Sequence, residues 1–247
     1  MSEGATWLIL GASSPIARAF ARQLAKPDTH IILAGRDVDD MERTAADLRI
    51  AAGANVEVAA FDAMDFATHA GLAAHWAQRS GPLNVILLFG LMPEQSAIDQ
   101  DPNLLISCVE STYTGAISIL HHLAPYLESR KTGTIIGVGS VAGDRGRLKN
   151  YVYGSAKAGL HTYLAGLRNR LARSGVHVMT VKPGFVDTQM TWGAPGVFLV
   201  ASPDSVAAKC LKAAARRRDI YYVPWFWWPI MTIIRLIPER IFKRLKV

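Results

Sequence analysis

Cysteine is scarce in this chain, with only Cys108 and Cys210 among 247 residues. Both lie in stretches of helical pattern, and neither has the close-spaced partner that a zinc site or a disulfide framework requires. A metal-built fold and a disulfide-built secreted domain are excluded, no metal ligand set is read, and the chain suits a reducing compartment such as the cytoplasm. Acidic charge is missing from one region. Of 20 Asp and Glu, only Asp219 and Glu239 follow residue 208, against Lys209, Lys212, Arg216, Arg217, Arg218, Arg235, Arg240, Lys243, Arg244 and Lys246. The formal charge of +7 is therefore carried by the C-terminal part alone. That argues against nucleic acid bound across a whole basic face and for a local anionic partner. No basic segment precedes the first apolar run, so no signal peptide is expected. No repeat and no low-complexity linker interrupts the chain. Long apolar runs are absent too: Pro224 to Pro238 is broken by three prolines and Arg235, and a spanning helix needs about 20 mostly apolar residues.

What is present is a chain that is 50% hydrophobic, enough for one well-buried α/β domain. Apolar runs at 6–10, 30–34, 55–60, 84–89, 133–139, 176–182 and 220–223 predict strands, with helical patterns between them and Gly or Pro at the joints. Such alternation predicts a doubly wound parallel sheet, a Rossmann fold. Residues 1–223 make that domain, and 224–247 make a Trp-rich, hydrophobic and basic tail. Ligands in this architecture bind beyond the C-terminal ends of the strands.

The most informative stretch runs from Ser140 to Lys157. Tyr153 and Lys157 are four residues apart, so they share one face of a helix. Ser140 stands thirteen positions earlier, after the strand-like run Thr134-Ile135-Ile136-Gly137-Val138, and faces them across a cleft. An ordinary tyrosine has a pKa of about 10, and a nearby lysine cation is expected to lower it. Tyr153 then acts as general acid in reduction and general base in oxidation, while Ser140 holds the substrate oxygen by hydrogen bond. Alone, a Tyr and Lys at this spacing is a common coincidence; Tyr151 is a decoy, because only Tyr153 has a lysine four residues on.

These residues, in this order, resemble the short-chain dehydrogenase/reductase family from about residue 5 to about 223. The resemblance implies that Ser140, Tyr153 and Lys157 are catalytic and that Lys157 also binds the nicotinamide ribose. It implies a dinucleotide on the turn Gly11-Ala12-Ser13-Ser14-Pro15-Ile16-Ala17-Arg18, with Gly11, Ser13, Ser14 and Ile16 at the pyrophosphate, as suits a helix N-terminus. The family usually has three glycines here. This chain keeps Gly11, with Pro15 and Ala17 in place of the others, and an ordinary strand-to-helix turn is the alternative. After the second strand, Gly35-Arg36 stands where an NAD site has a carboxylate. A guanidinium suits bidentate phosphate binding, so NADP(H) is expected; the alternative is Arg36 paired with Asp37. Asp62 matches the residue that bonds the adenine amino group, or is a loop aspartate. Two departures stand out. Leu87-Leu88-Phe89-Gly90 replaces the usual Asn-Asn-Ala-Gly, leaving Gly90, and Thr112 falls where a fourth catalytic residue, an asparagine, is usual. After the sixth strand, Lys182-Pro183-Gly184-Phe185-Val186-Asp187-Thr188 matches the segment that holds the nicotinamide carboxamide, placing Pro183, Gly184, Val186 and Thr188 at the cofactor.

On the substrate side, Met190 and Trp192 with Phe198 are expected to line an apolar pocket, or else to pack in the core. Arg145, Arg147 and Lys149 lead to the mouth of the site, with Arg145 the candidate for a substrate phosphate. In the tail, Ile230, Ile234, Ile237, Ile241 and Leu245 recur at helical spacing. Together with the tryptophans and the basic residues they describe an interfacial anchor for anionic lipid, peripheral on the inner face of a membrane. Packing at a subunit interface, common in this family and implying a homo-oligomer, is the alternative. The expectation is an NADP(H)-dependent oxidoreductase that interconverts a ketone and a secondary alcohol, on a lipidic or lipid-linked substrate. Phe89-Gly90 and the tail bear a distant likeness to keto-sugar reductases acting on polyprenyl-phosphate-linked pentoses. A domain without catalysis, sensing nucleotide or docking on membrane, is the other reading.

Overall fold

The computed structural model describes residues 4–188 and 199–245. Seven strands, β1 (Thr6–Leu10), β2 (His30–Gly35), β3 (Asn55–Ala60), β4 (Leu83–Leu87), β5 (Thr134–Val138), β6 (His177–Pro183) and β7 (Ile220–Val223), form one sheet. Their order is β3-β2-β1-β4-β5-β6-β7, and every neighbouring pair is parallel. The helices among the described residues are α1 (Pro15–Leu24), α2 (Val38–Ala52), α3 (Phe66–Trp76), α4 (Gln95–Ile98), α5 (Pro102–Val109), α6 (Gly115–Arg130), α7 (Tyr151–Ala172), α8 (Pro203–Ala215), α9 (Trp227–Leu236) and α10 (Glu239–Phe242). All seven strands expected from the apolar runs form, with their ends moved by no more than two residues.

Two-residue alternation sorts the strand side chains to opposite faces. Ile9, Ile31, Leu33, Ile86 and Met179 meet α1, α2 and α8 through Phe20, Met41 and Val206. Leu8, Leu10, Ile32, Val85 and Leu87 meet α3, α6 and α7 through Trp76, Leu123 and Leu164. Both faces are covered, which is why the strands read as continuous apolar runs. Each such Leu or Ile contributes about 1.5–3 kcal/mol relative to exposure. Side-chain caps start the helices that face the site: Ser14 Oγ accepts from the Ala17 amide at 3.1 Å, and Asp37 accepts from the Asp40 amide at 3.0 Å.

Strand order reverses between β1 and β4, which opens a crevice at their C-terminal ends. Gly11 sits there with φ +85°, and a Cβ on it would lie 3.0 Å from the Phe89 amide nitrogen. Only glycine suits both the backbone angle and the approach.

The tail folds back onto the domain. Trp227 and Met231 are buried with Val141 and Tyr222, and Phe185, Ile230 and Ile234 pack around them. This corrects the expected lipid-facing stripe in part: Ile230 and Ile234 pack on the protein side, and Ile237 is partly buried. Of that stripe Ile241 and Leu245 are exposed, together with Trp225, Trp228, Ile233 and Leu236. Among the described residues, no helix is long and apolar enough to cross a membrane.

Candidate active site

β5 ends at Val138, and Ser140 follows as the N-cap of a 3₁₀ turn over Val141–Asp144. Tyr153 and Lys157 lie on the first turns of α7, both buried. The Ser140 hydroxyl is close enough to the Tyr153 phenol to favour its ionised form, and it accepts from the Ala142 amide at 3.1 Å. Lys157 Nζ donates to the Val138 carbonyl at 3.0 Å and lies 5.8 Å from the centroid of the Tyr153 ring. The helix spacing and the strand end therefore bring the three residues to one place.

Their electrostatics differ from the sequence expectation. Burial raises the Tyr153 pKa, and the Ser140 hydroxyl only partly opposes it. Lys157 does not pull the phenol down; its ammonium is spent on Val138, and burial lowers its own pKa to about 8. Both effects have one cause, a low-dielectric pocket that disfavours charge. Near neutral pH the pocket holds a protonated phenol beside an ammonium.

Thr112 occupies one turn of π-helix, Glu110–Thr114, between α5 and α6. Such bulges recur at functional sites. Its fully buried hydroxyl accepts from the Leu91 amide at 3.0 Å and donates to the Leu91 carbonyl at 3.3 Å. The Cys108 thiol donates to the same carbonyl at 3.1 Å. Together they fix the segment after β4, where Gly90 approaches Thr112 and Lys157 so closely that a Cβ would lie 3.5 Å from Nζ. Cys108 and Cys210 are free and buried, and burial pushes the Cys210 thiol up to about 12.

The other sequence candidates line the same edge of the sheet. Ser13 and Ile16 flank the start of α1, whose dipole presents its positive end to the crevice. Arg36 follows β2, is exposed, and has no ion pair among the described residues, since Asp37 is occupied as the cap of α2. Asp62 follows β3, with its carboxylate exposed and accepting from the Met64 amide at 2.9 Å. Pro183 ends β6, the Gly184 amide donates to the Val223 carbonyl at 3.0 Å, and Thr188 Oγ1 donates to Val186 O at 3.4 Å. A turn with room only for Gly11, a helix N-terminus, and an unpaired guanidinium fit a dinucleotide that carries an extra phosphate.

Arg145 has another partner than a substrate phosphate. Its guanidinium donates to the Ile234 and Ile237 carbonyls at 2.6 Å each, pairs with Glu239 at 2.9 Å, and stacks 3.7 Å from the centroid of Phe242. It thus satisfies the carbonyls left open at the end of α9, a contact across about ninety residues that no local pattern signals. Met190 and Trp192 lie outside the described residues. Tyr151 stands apart from the site, donating to Asp99 at 2.5 Å on the surface. Sequence reasoning missed His161, whose Nε2 accepts from the Ser140 amide at 3.3 Å, and Asp144 behind it. Gly139 and Gly143 on either side of Ser140 were the available signal.

Comparison with known proteins agrees with this geometry. Residues 5–195 match the family model described as short chain dehydrogenase. The chain is 35% identical over 239 residues to an uncharacterised oxidoreductase of Mycobacterium tuberculosis, covering 96% of each chain. In fold it is similar to a short-chain dehydrogenase from Sphingobium yanoikuyae in complex with NADPH, at TM-score 0.82 and 24% identity over 95% of this chain and 97% of that one. It is also similar to the bulky-bulky ketone specific alcohol dehydrogenase from Comamonas testosteroni, at TM-score 0.80 and 20% identity over 96% of each.

Proposed function

The chain belongs to the short-chain dehydrogenase family, and from that premise we propose that it is an NADP(H)-dependent oxidoreductase interconverting a ketone and a secondary alcohol. The observation that carries the reading is the buried Tyr153 phenol, with Ser140 and the buried Lys157 in the same pocket. The cofactor would be held by Gly11, Ser13, Ser14 and Ile16 at the pyrophosphate, Arg36 at the extra phosphate, and Asp62 at the adenine. Gly90, Tyr153, Lys157, Pro183, Gly184, Val186 and Thr188 would surround its nicotinamide half. When bound, the nucleotide supplies the hydride. The NADPH complex of the Sphingobium protein and the ketone named for the Comamonas enzyme support the same choice.

The residues of the chain supply the proton and the electrostatics. Burial keeps Tyr153 protonated near neutral pH, so in reduction the phenol gives its proton to the carbonyl oxygen. Ser140 donates a hydrogen bond to that oxygen as negative charge develops. Lys157, still a cation below about pH 8, would hold the nicotinamide ribose beside the phenol. Tyr153→Phe is expected to abolish turnover while NADPH binding stays within about twofold. Nucleotide fluorescence titration and a turnover assay measure the two, and a retained kcat would sink the assignment.

The substrate is a lipidic or lipid-linked ketone, delivered where the tail meets an anionic membrane. Support comes from the exposed Trp225, Trp228, Ile233, Leu236, Ile241 and Leu245 and from the exposed Arg240, Lys243 and Arg244 of the same segment. Tryptophan suits the headgroup level and basic side chains suit anionic lipid. The test uses sedimentation with liposomes containing phosphatidylglycerol. Trp225→Ser/Trp228→Ser changes only exposed side chains, so the fold is kept. The intact chain is expected to sediment and the variant to stay in solution. Equal partition of the two would instead favour a face shared between copies in a homo-oligomer.

A further inference from the structure

A buried group of charges lies directly behind Ser140, and the proton chemistry described above does not use it. His161 is on α7, one turn beyond Lys157 and two beyond Tyr153, so it shares their face. The last sheet hydrogen bond of the β5 segment is from the Gly139 amide to the Val181 carbonyl, 2.8 Å. The next amide, that of Ser140, leaves the sheet and donates to His161 Nε2 at 3.3 Å. On the other side of the ring, Nδ1 lies 3.8 Å from Asp144 Oδ1. Asp144 is itself fixed: its side chain is 2% exposed, Lys182 Nζ is 2.5 Å from Oδ1, and the Tyr222 hydroxyl donates to Oδ2 at 2.7 Å.

The local sequence is shaped around this ring. A Cβ on Gly139 would lie 2.1 Å from His161 Nε2, and one on Gly143 would lie 2.7 Å from Cε1. Real side chains do not approach so closely, so the imidazole excludes a side chain at Gly139, and at Gly143 it does so together with the α7 backbone, 2.8 Å from the same Cβ at the Ala158 nitrogen. The tautomer follows from the partners. Nε2 accepts from an amide, so in the neutral ring the proton is on Nδ1, facing the Asp144 carboxylate. Burial and the nearby Lys182 ammonium keep the ring neutral.

We propose that His161 is a positioning residue for Ser140: by accepting the Ser140 amide, with Asp144 fixing its tautomer, it holds the serine hydroxyl against Tyr153. This rests on the reading of Ser140 as the group that orients the substrate oxygen. Loss of the acceptor leaves a buried amide without a partner, which the loop relieves by moving. His161→Phe keeps a ring but removes the acceptor; His161→Gln places an amide oxygen near the position of Nε2.

The test is a double-mutant cycle with Ser140→Ala, using NADPH oxidation by 2-decanone as the turnover assay. His161→Phe is expected to lower kcat by about tenfold or more with NADPH affinity within about twofold. His161→Gln is expected to recover kcat to within about threefold, and His161→Phe to cause no further loss when Ser140 is already alanine. Hydrogen exchange of the 140–143 amides adds a readout that needs no substrate, faster in the Phe variant and restored in the Gln variant. If His161→Phe does not fold, Asp144→Asn serves in the same cycle. Losses that multiply across the cycle, or unchanged exchange at 140–143, overturn the proposal alone. Full kcat in Ser140→Ala overturns the reading of Ser140 and the proposal with it.

Discussion

At the scale of single residues, chemistry is decided by what a charge has for company. Arg36 is exposed and unpaired among the described residues, so its guanidinium is available to a phosphate. Arg36→Ala is expected to weaken NADPH binding about tenfold to a hundredfold, the loss of charge-assisted hydrogen bonds, and to leave NADH within about twofold, measured by fluorescence titration. His161 is the opposite case. Burial lowers its pKa from the ordinary 6.5 to about 3 in the folded chain, so the unfolded chain takes up the proton first. The stability this ring contributes is complete above about pH 6.5 and is lost as pH falls toward about 3, with a slope of at most about 1.4 kcal/mol per pH unit. Urea unfolding across that window is expected to show a shallower acid limb in His161→Gln than in the parent; identical limbs would contradict the assignment. Ser140, Tyr153 and Lys157 were legible because helix periodicity and one strand end place them. His161 was not, because its partner is a backbone amide 21 residues away, and backbone partners carry no sequence signature.

At the scale of elements, the strands were legible and the docking of the tail was not. The strands are buried on both faces, so each announces itself as an apolar run. The helical spacing of the tail is visible, but which side faces the protein depends on Gly184 and Arg145. A Cβ on Gly184 would lie 1.8 Å from Trp227 Nε1, so the absence of a side chain after β6 is what admits the indole. Gly184→Ala is expected to cost about 1–3 kcal/mol by overpacking, and Trp227→Ala about 3–5 kcal/mol by leaving a cavity. Urea midpoints and tryptophan emission measure both. Values within about 0.5 kcal/mol of the parent would mean that α9 is not docked as described.

At the scale of the whole molecule, the fold directs the cofactor candidates and Ser140 toward one rim. The strands are parallel, so their C-terminal ends share an edge, and Gly11, Arg36, Asp62, Gly90, Ser140 and Gly184 each follow one strand of the sheet. The tail joins the same rim, packing on Val141 and Phe185. Its basic residues make a salt-dependent prediction. Arg240→Glu/Lys243→Glu/Arg244→Glu is expected to release the protein from phosphatidylglycerol liposomes, and raised ionic strength to release the parent progressively, since exposed charges are screened. Binding indifferent to both would leave the apolar patch as the sole cause.

Arg145 has a consequence for how this enzyme tolerates change. It is the neighbour of Asp144 and the cap of a helix near the far end of the chain. Two stretches that are distant in the gene are therefore one object to selection. In a library of random variants screened for turnover, inactive clones are expected to gather at 139–147 and again at 227–242, with few between 205 and 218 on the solvent side of α8. A reader of that library without the structure would count two functional regions where there is one.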